Sequence, residues 1–311
     1  MPDPILMLEA LAAALFASAL VVAAGRLAGR RWAGVVQAAA LALGAYLGLA
    51  VLGVTPRWPL REDQDRFLGL VLPAVLLVEA VGGWARIPGR AKLAIRLVAS
   101  LAVAPVLLYG SSYLTDLGGP GTADWPPAQR YAILGGLGLT LFGVWSGLAW
   151  TSRRSASALR APLALATAIG GASLAVMLSG YASGGMNGVP LAGAVAGASI
   201  AAALLKGDDR DALPGVGAVA LFSLLLVGYA FGELRPDVAT ALFLAPMLAA
   251  APEAPPLARS RPWMRTAFAL ALVGLAAALA VGLTIHRFQA KAAETRPNDG
   301  GPTADDYGQF R

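Results

Sequence analysis

Ten apolar runs, separated by short polar or basic connectors, organise the chain. They are Ile5–Ala24, Trp32–Val54, Phe67–Ala85, Leu93–Leu114, Tyr131–Trp150, Ala161–Ala182, Gly184–Leu205, Leu213–Phe231, Asp237–Ala251 and Trp263–His286. A helix needs about 20 mostly apolar residues to cross a bilayer. The pattern therefore predicts an all-α polytopic integral membrane protein, a bundle of about ten transmembrane helices. The ninth run is the short one. Its apolar stretch Val238–Ala251 gives only about 21 Å of α-helix, with Pro246 inside it and Pro252, Pro255 and Pro256 at its exit. As a re-entrant segment it would leave nine crossings. The first run follows Met1-Pro2-Asp3-Pro4, an acidic leader where a signal peptide carries a base, so it reads as a retained span.

Residues 1–286 thus form one transmembrane helical domain. The connectors Thr55–Arg66 and Thr115–Arg130 are too short to hold a soluble domain. The tail 287–311 is polar and rich in Gly, Pro and Asp, which predicts disorder. The hairpin joining runs 6 and 7 is uncharged while that joining runs 1 and 2 is basic, so the residues show no inverted repeat. The pairs Gly44/Gly48, Gly143/Gly147, Gly184/Gly188 and Gly193/Gly197 let helix backbones approach closely and read as packing, not as a dimer signature.

Composition narrows the chemistry. Of 311 residues 57% are hydrophobic and 14% charged, against about 25% charged in soluble domains. The absence of cysteine excludes disulfides, iron–sulfur clusters and Cys-based zinc sites. A single histidine, His286, excludes His-cluster metals and bis-histidine haem, so no metal and no cofactor is expected. No H-E-x-x-H zinc site is present, no aspartate lies in a span core, and no Ser–His dyad fits inside the bilayer. No basic domain supports nucleic-acid binding. The expected partners are membrane lipid and, for a subunit of a complex, other membrane proteins.

Most of the 24 Lys and Arg residues follow the odd-numbered runs: Arg26, Arg30 and Arg31; Arg86, Arg90, Lys92 and Arg96; Arg153, Arg154 and Arg160; Lys206 and Arg210; Arg259, Arg261 and Arg265. Basic residues favour the cytoplasmic side, which predicts an outward N-terminus. Trp32, Trp58, Trp84, Trp150 and Trp263 fall at span ends, where amphipathic rings prefer to sit. The Ala/Gly/Arg-rich composition suits a high-GC genome and hence a bacterial cytoplasmic membrane.

Charged groups within spans are functional candidates. Runs 3 and 4 should form an antiparallel hairpin turning near Ile87–Pro88, which brings Glu79 and Arg96 to one depth, roughly 10 Å inside the basic edge. The pair can line a polar cavity beside Pro73 and Pro105, or Arg96 can snorkel with Glu79 merely neutralising it. The second candidate is Ser179–Pro190, a Gly/Ser run with one amide. Asn187 and Gly185 are its binding candidates, because broken helix ends expose backbone groups to ligands. The alternative is a tight outer turn. The acids Asp208 and Asp209 can hold Mg²⁺ against a diphosphate, but the other basic loops offer only Arg, Lys, Ser and Glu253, so the run reads as a solvated loop. Glu62, Asp63 and Asp65, among Arg57, Arg61 and Arg66, likewise read as a balanced, solvated loop.

The substrate-binding expectation is therefore Glu79, Arg96, Asn187 and Gly185. The leading function is a small-molecule transporter or permease. A structural or accessory subunit of a membrane complex is the alternative, and a lipid-directed membrane enzyme the third.

Overall fold

The computed structural model describes residues 3–28, 32–84, 87–115, 124–155, 157, 159–205, 212–253 and 260–294. Its helices are α1 (Pro4–Gly25), α2 (Ala33–Val51), α3 (Asp63–Arg66), α4 (Leu72–Trp84), α5 (Gly89–Leu107), α6 (Pro127–Arg154), α7 (Arg160–Leu178), α8 (Ala182–Met186), α9 (Gly188–Leu204), α10 (Ala212–Phe231), α11 (Pro236–Leu244) and α12 (Pro262–Glu294). A π-helical stretch, Phe67–Val71, joins α3 to α4, and a 3₁₀ segment, Ala245–Glu253, prolongs α11. The fold is an all-α bundle, with no strand among the described residues. Among the described residues, eight rods are long and apolar enough to cross a membrane.

Two further elements complete the ten runs. Helix α5 carries Arg90, Lys92 and Arg96 in its first half, which lowers its hydropathy. It stops at Leu107, well before the expected Leu114, because the chain turns out at Gly110 with φ +73°. The other element is the short ninth run. Nine α-helical residues rise about 13.5 Å, and nine 3₁₀ residues, at about 2 Å each, a further 18 Å. Together they reach about 31 Å, the thickness of a hydrocarbon core. The tighter winding supplies the length that a purely α-helical reading lacks.

Ion pairs fix both ends of this element against α12. Asp237 at its start accepts from Arg287 at 2.8 Å, and Glu253 at its end pairs with Arg160 and, at 3.7 Å, with Arg265. Arg265 and Arg287 lie toward opposite ends of α12, so the two elements run antiparallel between those residues. The expected tail begins inside this helix: α12 continues through Glu294, and residues 295–311 lie outside the described residues.

Helix α10 is the axis of the bundle, buried without interruption from Leu213 to Gly228. Helix α1 packs between α2 and α9 through the glycine pairs read from the sequence. A Cβ on Gly44, Gly48 or Gly193 would come within 2.6–2.8 Å of an α1 carbonyl oxygen. These glycines are intramolecular seams.

Candidate functional site

Glu79 on α4 and Arg96 on α5 meet, as the hairpin register requires. Arg96 donates Nε to Glu79 Oε1 at 3.0 Å and Nη2 to Oε2 at 2.9 Å, a two-pronged ion pair with both residues buried. Such fork-to-carboxylate geometry is the strong form of the interaction. Trp145, fully buried on α6, donates its indole N–H to Glu79 Oε1 at 3.1 Å, and the Arg96 guanidinium lies 5.5 Å from the Trp145 ring. Gly215 on α10 closes the fourth side. A Cβ there would strike Glu79 Oε1 and come 2.5 Å from Trp145 Nε1. Four helices thus converge on one carboxylate. Trp145 was legible in principle, since an indole N–H in mid-span needs an acceptor.

The Gly/Ser run is a broken helix. Helix α7 ends at Leu178, Gly180 turns the chain at φ +89°, and the single turn α8 leads through Asn187 into α9. Gly185 is packed against α7: its carbonyl accepts from Ser173 Oγ at 2.6 Å, and an added Cβ would lie 2.7 Å from the Met177 nitrogen. Asn187 is buried and accepts from Gln64 Nε2 at 3.5 Å. The structure therefore brings Asn187 to α3, and keeps it apart from Glu79, which lies toward the basic end of the same α3–α4 rod, and from Arg96, its partner on α5.

The loop acids differ from their expectation. Asp63, Asp65 and Arg66 are buried, because α3 begins four residues before the apolar run and meets Tyr181 and Asn187 at the helix break. Tyr181 donates its hydroxyl to both Asp63 oxygens at 3.0 Å, Asp65 accepts from the Arg57 backbone at 2.8 Å, and Arg66 donates to the Arg61 carbonyl at 3.0 Å. Burial, reinforced by the Asp63 carboxylate, pushes the Tyr181 hydroxyl well above its ordinary value. The Gly207–Asp211 run lies outside the described residues.

A third feature offers room for a substrate. A cleft of about 590 Å³ runs between α6, α10 and α11. Phe222, Leu225, Leu226 and Phe243 form its buried floor, and Phe222 and Phe243 meet edge to face. At its mouth lie Trp125, Gln129 and Tyr229, with Thr140 and Thr240 along the walls. Every polar group in the lining is uncharged. Thr140 is five residues from Trp145, and Phe222 seven from Gly215, so the cleft ends about 8–10 Å of helix rise from the Glu79 cluster.

Comparison with known protein families and with curated proteins finds no match for this chain. The site geometry carries the functional reading.

Proposed function

We propose that the chain is a transporter or permease of a bacterial cytoplasmic membrane, with its N-terminus outside, that takes a neutral amphiphile from the bilayer. The lateral cleft between α6, α10 and α11 carries this reading. Its volume falls within the range of small-molecule sites, which are mostly apolar with a few placed polar groups. The apolar floor suits a hydrocarbon chain, and Gln129, Tyr229 and Trp125 at the mouth suit a polar, uncharged head. The basic connectors on one side support the orientation.

The Glu79–Arg96–Trp145 cluster joins α4, α5, α6 and α10 below the cleft. Any separation of α6 from α10 during transport has to remake contacts to that one carboxylate. Glu79 and Arg96 serve in this reading as the switch under the substrate. Asn187 and Gly185 support the broken helix instead of touching the substrate.

Flux in reconstituted vesicles tests the proposal. A fluorescent acylglycerol without net charge should cross protein-containing vesicles faster than empty ones. Ala239→Trp, which fills the cleft from α11, should return flux to the empty-vesicle rate while leaving the protein folded. Equal flux with and without protein, together with a stoichiometric membrane protein co-purifying in mild detergent, would put the accessory-subunit reading ahead.

A further inference from the structure

A small cavity at the junction of α3, α8, α9 and α10 holds a set of oxygens suited to an ion. Asp63, Gln64, Phe67, Gly184, Asn187, Ser223, Leu224 and Val227 enclose about 10 Å³, room for a single water-sized sphere. Two observations point to a cation there. Ser223 is 1% exposed and its Oγ has no hydrogen-bond partner; of the unpaired buried hydroxyls, which include Ser100 and Ser146, it is the one that lines this cavity, and most buried hydroxyls are paired. Asp63 and Asp65 are buried beside a single guanidinium, Arg66, and among the described residues neither forms an ion pair within 4 Å.

We infer that this cavity is a binding site for a small monovalent cation of sodium size, held by Asp63, Asn187 and Ser223. The donor set is made of hard oxygens: a carboxylate, an amide oxygen and a hydroxyl, with the Gln64 amide alongside. One carboxylate among neutral oxygens, in a cavity the size of a single sphere, suits a monovalent ion. Among the described residues no three acidic or histidine side chains converge, as a divalent site would favour. The setting fits as well. Broken helices supply coupling-ion sites in transporters because their ends free backbone oxygens inside protein, and the break at Gly180–Asn187 forms one wall of the cavity. On the other wall, the π turn Phe67–Val71 gives up regular helix bonding, and its Leu68 carbonyl accepts from the Tyr46 hydroxyl. Such turns recur at functional sites.

The inference names an ion, which the transport proposal does not, and it is read by equilibrium binding, so the two fail separately. The experiment is thermal unfolding of the full chain in detergent at fixed pH and ionic strength, with sodium, potassium or choline chloride as the only variable. Sodium should raise the apparent Tm over choline by about 2–4 °C in a saturable manner, and potassium should do markedly less because the cavity is small. Ser223→Ala, which removes only an unpaired hydroxyl, should keep the choline Tm and lose the sodium shift. Asp63→Asn, which keeps an acceptor for Tyr181, should lose it too. Identical melting in sodium and choline, an equal response to potassium, or a sodium shift that survives both substitutions would each overturn the assignment.

Discussion

Trp145 and Glu79, 66 positions apart, are joined by an indole-to-carboxylate hydrogen bond of 3.1 Å that lands on the same oxygen as Arg96 Nε. The indole makes the ion pair a three-helix junction, and Gly215 makes it a four-helix one. A buried pair of this kind stabilises little over a well-packed apolar substitute, but breaking it from one side leaves an uncompensated charge.

Glu79→Gln and Arg96→Leu should accordingly each cost about 3–5 kcal/mol. The double substitution should cost less than the two single losses combined, because the partners share one interaction. Thermal unfolding of the four proteins in detergent completes the cycle. Strictly additive losses would mean the two charges do not act on each other.

Gly215 and Gly143 offer a matched contrast. At Gly215 a methyl has to displace Glu79 or Trp145, so Gly215→Ala should cost about 1–3 kcal/mol. At Gly143, within α6, a Cβ meets nothing within 4 Å. Gly143→Ala should therefore be neutral or gain up to about 1 kcal/mol from helix propensity. Equal effects at the two sites would be inconsistent with the packing around Glu79.

Gly185→Ala tests the broken helix. Its Cβ would press on the α7 backbone at Met177 and Ser173, so folded yield should fall by a margin typical of overpacking, about 1–3 kcal/mol. Normal yield and normal Tm would show that α8 stands away from α7.

Topology follows from the ninth element. Because Pro236–Glu253 runs beside α12 from Arg287 to Arg265, cysteines introduced at Asp3 and at Arg311 should react alike with an impermeant thiol reagent in intact cells. One at Arg154 should stay protected. In this cysteine-free chain each label is unambiguous, and opposite labelling of Asp3→Cys and Arg311→Cys would mean an odd number of crossings.

The ten runs and the shared depth of Glu79 and Arg96 were legible because hydropathy and hairpin register both act along a single rod. What stayed hidden depends on contacts between rods. The burial of Asp63, Asp65 and Arg66 was masked by their mixture of signs, which is what a solvated loop also shows; only the meeting of α3 with Tyr181 and Asn187 separates the cases. The 3₁₀ winding of Ala245–Glu253 has no mark in the sequence beyond its prolines. The cleft is least legible of all. Phe222, Leu225 and Leu226 read as ordinary core residues, and only the relative placement of α6 and α11 opens a cleft above them.

Entry of a neutral amphiphile into that cleft is the central claim, and site-directed protection measures it most directly. A cysteine at Thr240 lines the cleft, and one at Leu279 lies on the exposed face of α12. Both would be labelled in membranes by a membrane-permeant maleimide, with and without excess unlabelled neutral acylglycerol. The account predicts that the acylglycerol slows labelling at Thr240→Cys in a saturable manner and leaves Leu279→Cys unchanged. Equal rates at Thr240→Cys with and without the amphiphile would contradict it.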